Sequence, residues 1–299
     1  MVYNKPALTI AQQLTQLRKR GLSIPDSTLA EHFLNNVSYY RLAGYWWTLQ
    51  SDRSRHRFRQ GANFQQIVDR YNFDRELRLI IMDMIERIEI AVRTKMIYHF
   101  SLAYGPHWFE NKQLVKNSSG WTYSSNQIRK ETKKSSEVYL RQFFKKYSAD
   151  KRNPPSWMSL EIVSLGTLSK MFGNLKSQLV EKDKIARELG LPGQTYLENW
   201  LHGISVTRNI AAHHSRLFQR TLPIKPILPK KLHRKWIDLS GVHKKSIYFQ
   251  ISSMAYLLQS ISPGNRFSLR LSDLFAKYPS VKFKEVGFPA NWKTQPLWK

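Results

Sequence analysis

The chain has 299 residues, with 48 Lys and Arg against 21 Asp and Glu, for a formal net charge of +27. Its 41% hydrophobic and 13% aromatic content is enough to bury a core and excludes global disorder, while the absence of cysteine excludes a disulfide framework, a cysteine-ligated zinc and a thiol nucleophile. So large a positive surplus repels itself and points to a polyanionic partner, nucleic acid before an anionic membrane surface.

Residues 1–19 are mixed and polar and lack the apolar run of a signal peptide, so a cytoplasmic location is expected. Apolar residues every three positions predict a first helix over 6–20, stopped by Gly21. A second is predicted over 26–36, with Asp26 or Ser27 as its cap. Residues 39–47 form an aromatic-rich helix or turn whose rings could stack bases or fill the core. Residues 51–60 carry Arg53, Arg55, Arg57 and Arg59 in alternation and read as a mobile basic loop or a short hairpin.

The strongest element is predicted over 72–104, with one broad apolar face from Leu77 to Leu102 and Gly105-Pro106 as its stop. Residues 111–134 are polar and read as a loop or insertion. Further helices are predicted over 137–147, 156–172, 176–189 and 195–220. Three prolines in 222–229 mark a linker or extended strap, and helices follow over 246–261 and 271–278 before an irregular basic tail. The uncharged stretch 246–265 contains too many Ser and Gln to be a membrane span and reads as a buried amphipathic helix. The pattern is all-α, in three parts: an N-terminal helical and basic-loop segment over 1–65, a helical core over 66–221, and a C-terminal extension over 222–299 packed on it.

No glycine-rich phosphate loop, no His-Glu-x-x-His and no acidic cluster of the two-metal kind is present. No cofactor and no metal are therefore expected, and any chemistry on RNA falls to histidine at neutral pH. The segment suited to it is Arg208-Asn209-Ile210-Ala211-Ala212-His213-His214. Metal-free RNA cleavage needs a base for the 2′-hydroxyl, an acid for the departing 5′-oxygen and a cation beside the phosphorane. Imidazole serves the first two and guanidinium the third.

Spacing alone is weak evidence, since Arg93 and His99 show it as well. On a continuous helix, at about 100° per residue, Arg208, Asn209, His213, Arg216 and Arg220 share one side. His214 turns instead toward the apolar side with Ile210 and Ala211.

This segment, with its continuation Ser215-Arg216-Leu217-Phe218-Gln219-Arg220, resembles the Arg-Asn-x-x-x-His signature of the HEPN ribonuclease superfamily. The chain is more specifically similar to the bacterial abortive infection (Abi) family in its AbiD/AbiF-like branch. Stretches 37–46, 71–78 with 85–93, 155–158 with 165–169, and 287–292 carry that likeness in order along the chain. Gln219 departs from it, standing where Asn is common before the final Arg.

The resemblance implies a HEPN-type helical bundle and a metal-independent endoribonuclease toxin of a phage-defence system. It implies a homodimer with Arg208 and His213 of both copies in one cleft, Asn209 as a further catalytic residue, and cleavage by 2′-hydroxyl attack. It also implies control by a structured noncoding RNA. The alternative is a non-catalytic RNA-binding protein that sequesters or chaperones a structured RNA.

Supporting roles fall to His214, Glu89, Arg93 and Arg216. Glu89 and Arg93, four apart and opposite the apolar arc, read either as a solvated ion pair or as a pair that positions Arg208 or the phosphate. RNA binding is expected at Arg53, Arg55, Arg57 and Arg59, extended by Lys230, Lys231, Arg234 and Lys235 and by Lys244 and Lys245.

Overall fold

The computed structural model describes residues 2, 4 and 6–299. Helix makes up 62% and strand 3%, as the all-α pattern predicts. The sequence-based reading of the extreme N-terminus falls partly on Met1, Tyr3 and Lys5, which lie outside the described residues.

Three short helices come first: α1 (Ile10–Lys19), α2 (Ser27–Val37) and α3 (Tyr39–Trp46). Thr9 and Gln12 form a capping box that starts α1 later than the predicted residue 6, and Asp26 caps α2. The basic stretch 51–60 contains a short hairpin, β1 (Gln50–Asp52) against β2 (Arg57–Phe58), antiparallel. The aromatic stretch before it is mostly core: Tyr45 and Trp46 are buried, whereas Tyr40 and Trp47 are exposed.

Asn63 and Gln66 form a second capping box, which launches α4 (Phe64–Tyr104). Its 41 residues span about 60 Å. Leu77, Ile80, Ile81, Met84, Ile85, Ile88 and Val92 form the expected buried stripe, but Leu102 is exposed. The first half of α4 is clamped from several sides, so Arg70, Asp74 and Arg78 are buried too.

The polar stretch 111–134 is not a loop throughout. Asn117 caps α5 (Ser118–Lys134), whose buried positions are Ser124, Ile128 and Thr132. Two of those three are hydroxyl residues, so no apolar period announces the helix. After α6 (Val138–Lys146), the predicted helix 156–172 is split into α7 (Ser156–Ser159) and α8 (Leu165–Asn174), because Ser164 caps a fresh start. Then come α9 (Val180–Glu188) and α10 (Gln194–Ala212).

The proline strap returns along α10, where the Trp200 indole N–H donates to the Ile227 carbonyl at 2.8 Å. The next helix, α11 (Ile247–Ile261), is buried on all sides through its first eight residues rather than being one-faced. α12 (Phe267–Lys277) follows. The tail is irregular but seals the core: Phe288 and Trp292 are buried and pack on Phe275 of α12.

α4 is the spine, packed by α3, α9, α10, α11 and α12. One hydrophobic cluster runs from Leu14 to Trp298 through all three parts of the chain. Among the described residues no helix is long and apolar enough to cross a membrane.

Candidate functional site

α10 stops at Ala212, not at 220. The Ser215 N–H donates to the Ile210 carbonyl at 2.9 Å and the His214 N–H to the Ala211 carbonyl at 3.0 Å. This is a Schellman motif with His214 at the left-handed position, φ 54°. Glycine is the usual occupant there, and a side chain costs about 1–2 kcal/mol. Across the fold the Arg41 guanidinium donates to the His214 carbonyl at 2.8 Å and holds the turn.

The helix end changes where the signature side chains lie. Arg208 is half-buried near the end of α10, and its guanidinium donates to the Asn209 side-chain oxygen at 3.2 Å. Asn209 and His213 are exposed. His214 is exposed as well, contrary to the expectation that it faces the core, because the turn rotates it off the helical wheel.

Arg216 and Arg220 do not continue the stripe, for the same reason. Arg216 is half-buried over Gly44, where a Cβ would lie 3.1 Å from its Cδ and Nε. Arg220 is exposed on the returning strap.

What fixes the segment between the turn and the strap is Asp74 of α4, a residue whose role sequence reasoning missed. Its carboxylate accepts the Leu217 N–H at 3.1 Å, the Phe218 N–H at 2.7 Å and the Tyr45 hydroxyl at 2.7 Å, and it pairs with Arg78. Burial, and then the adjoining carboxylate, push the Tyr45 hydroxyl well above its ordinary range. The available signal was an acid four residues before an Arg with both in helical register with the apolar stripe at Leu77 and Ile81.

A hollow of about 530 Å3 runs beside Arg208, lined on the α4 side by Glu86, Glu89 and Arg93 and rimmed by the exposed Leu79 and Ile90. The structure thus brings Arg208, Glu89 and Arg93 to one place, while His213 is not part of that lining. Arg93 is not on a solvated face. It is buried, and its Nη2 donates to Glu89 Oε1 at 2.8 Å and to the Val163 carbonyl at 3.0 Å. The break between α7 and α8 supplies that carbonyl, so Arg93 ties the spine to it. His99, which shares the spacing with Arg93, is engaged elsewhere, 2.8 Å from Glu188 Oε1.

Arg53, Arg55, Arg57 and Arg59 are exposed on or beside the hairpin, with Arg53 over the Trp47 ring at 5.2 Å. Lys230, Lys231, Lys235, Lys244 and Lys245 are exposed in the C-terminal part. Arg234 differs from them. It is half-buried against Gly190, whose imagined Cβ would sit 3.1 Å from its Nε, so it acts as a brace under the α9–α10 turn. Among the described residues no group of three His, Asp or Glu is placed to hold a metal ion.

The family model described as Abi-like protein matches residues 32–219, well over half of the chain and inclusive of the whole signature segment. The chain belongs to the Abi-like protein family. Membership implies a role in abortive infection, a phage-defence response. The matched span runs from within α2 through the spine to Gln219, just short of the strap, so it holds Arg41 and Asp74 together with the turn and the Leu217-Phe218 segment that they fix. Comparisons with curated proteins and with solved structures return no match.

Proposed function

We propose that this Abi-like protein is a metal-independent endoribonuclease of the HEPN type, acting as a homodimer in an abortive-infection system and governed by a structured noncoding RNA. The observation that carries the reading is the set of half-buried Arg208 and exposed Asn209 and His213 at the end of α10, followed by a strained turn that Arg41 holds at His214 while Asp74 fixes the Leu217-Phe218 segment after it. Strain of this kind persists where the surroundings over-determine it, often at functional sites.

In this reading the His213 imidazole of one copy removes the 2′-hydroxyl proton and O2′ attacks phosphorus. The P–O5′ bond breaks, and the second copy's His213, as imidazolium, protonates O5′, leaving a 2′,3′-cyclic phosphate and a 5′-hydroxyl. Arg208 neutralises the non-bridging oxygens, its planar fork matching theirs. The exposed Leu79 and Ile90 beside the Arg208 hollow suit burial by a second copy. The hairpin arginines and C-terminal lysines supply the charge that RNA binding requires.

Incubation of the pure protein with RNA in EDTA is expected to yield fragments ending in 2′,3′-cyclic phosphate. His213→Ala should slow cleavage by about 10²–10⁴-fold with RNA affinity nearly unchanged. Ile90→Glu should give a monomer in sedimentation and lose cleavage with it. RNA that stays intact while binding persists, with Arg208→Ala and His213→Ala acting like any surface charge change, would replace this reading with a non-catalytic RNA-binding protein.

A further inference from the structure

A second and larger cavity, of about 760 Å3, opens where the three parts of the chain meet. Its wall takes Arg59 from the hairpin, Arg70 from α4, Arg220 from the strap, and Lys282, Lys284 and Glu285 from the tail. The charges divide into two layers. At the base, Glu285 is fully engaged: Oε1 accepts Arg70 Nη2 at 2.7 Å and the Thr48 hydroxyl at 3.1 Å, and Oε2 accepts the Lys282 N–H at 3.1 Å. The Arg70 side chain is only 2% exposed, and its Nε is left without a partner. At the rim, Arg59, Arg220, Lys282 and Lys284 are exposed, and among the described residues none of the four pairs with a carboxylate.

Four unneutralised cations converging on one concavity raise each other's free energy, and a multivalent anion relieves that. The start of α11 borders the cavity, with its Phe249 N–H already capped by the Ser246 hydroxyl at 3.2 Å. Ser246 and Ile247 line the cavity, and the tail crosses them so closely at Gly287 (φ 78°) that a Cβ there would lie 2.9 Å from Ser246 Cβ. The first-turn amides of a helix favour an anion. Among the described residues His243 is the one aromatic ring lining the cavity, so no pair of rings is built there to sandwich a nucleobase. The volume fits a group of small-ligand size.

We propose that this cavity binds a run of adjacent phosphate groups without reading a base. The 5′-triphosphate end of an RNA chain and a free polyphosphate or nucleotide share that chemistry. The proposal rests on the cavity's own charges and holds whether or not the chain cleaves RNA.

Binding of tripolyphosphate to the full chain, followed by calorimetry at low salt, tests it. Lys282→Gln with Lys284→Gln, and separately Arg220→Gln, should weaken binding by about tenfold or more. Lys133→Gln with Lys134→Gln on α5 removes the same two charges outside the cavity and should leave affinity within about twofold. All the substituted side chains are exposed, and an unchanged thermal midpoint confirms folding. Two 12-nucleotide RNAs, one with a 5′-triphosphate and one with a 5′-hydroxyl, separate the sources. A preference for the first that the Lys282/Lys284 variant abolishes identifies an RNA end, whereas tripolyphosphate binding with no such preference identifies a free polyphosphate. No tripolyphosphate binding, or an equal loss in the α5 control, overturns the proposal.

Discussion

Asp74 shows how one side chain sets a site it does not belong to. It is fully buried, and its carboxylate gathers Tyr45 of α3, Arg78 of α4 and the N–H groups of Leu217 and Phe218 beyond α10. Asp74→Ala is expected to cost about 3–5 kcal/mol in urea unfolding, because the Arg78 charge is left buried without its partner. A loss below about 1 kcal/mol would show that the strap is held by packing alone.

His214 makes the reverse case. Its backbone is left-handed and its side chain is exposed. His214→Gly should therefore raise stability by up to about 1 kcal/mol, once the added freedom of the unfolded chain is subtracted. A lower urea midpoint would mean that the imidazole makes contacts that outweigh the strain. The pair His213-His214 stood out in the sequence as candidate site residues. Which way each ring points was not legible there, because a helical wheel is valid only while the helix lasts, and α10 ends one residue before the pair.

At the scale of elements, the caps were written locally. Thr9 with Gln12, Asp26, Asn63 with Gln66 and Ser164 each start a helix. α5 was illegible because its buried face is built largely from hydroxyl residues. Junctions between helices depend on polar contacts as well. Lys182 of α9 is fully buried, donates to the Leu175 carbonyl at the end of α8 at 2.8 Å and pairs with Glu198 of α10.

Burial pushes the Lys182 ammonium down to about 8 against the opposing pull of Glu198. The unfolded chain then holds more protons than the folded one between about 8 and the ordinary 10.5, so the contribution of Lys182 to stability grows as pH rises through that window. Lys182→Met should flatten the pH dependence of the thermal midpoint from about pH 8 to 10, and an unaltered profile would count against the assignment. α10 and α11 meet at Gly203, where a Cβ would come within 3.0 Å of Gln250 Oε1 and 3.4 Å of Ile224 Cγ2. Gly203→Val is expected to destabilise by about 1–3 kcal/mol through overpacking, measured by denaturant titration.

For the whole molecule, charge is the dominant quantity. The core ties all three parts of the chain together, so the surplus of +27 lies on a single packed body. If the hairpin arginines each neutralise one RNA phosphate, replacing Arg53, Arg55, Arg57 and Arg59 by Gln should reduce the slope of log affinity against log salt by about 3. The thermal midpoint should hold, since all four side chains are exposed. An unchanged slope would move the RNA path to the C-terminal lysines.

Composition, caps and apolar period are short-range properties, and from them the chain's own residues determined its helical class and its spine, and narrowed the basic stretch to a loop or a hairpin. Only the tertiary structure decided where α10 stops, that Arg93 and Arg234 are braces, and that a cationic cavity forms where hairpin, spine, strap and tail meet. The reason is sequence distance: Asp74 meets Phe218 across 144 residues and Arg70 meets Glu285 across 215. No local pattern encodes such contacts, because they exist only once the core has brought the segments together.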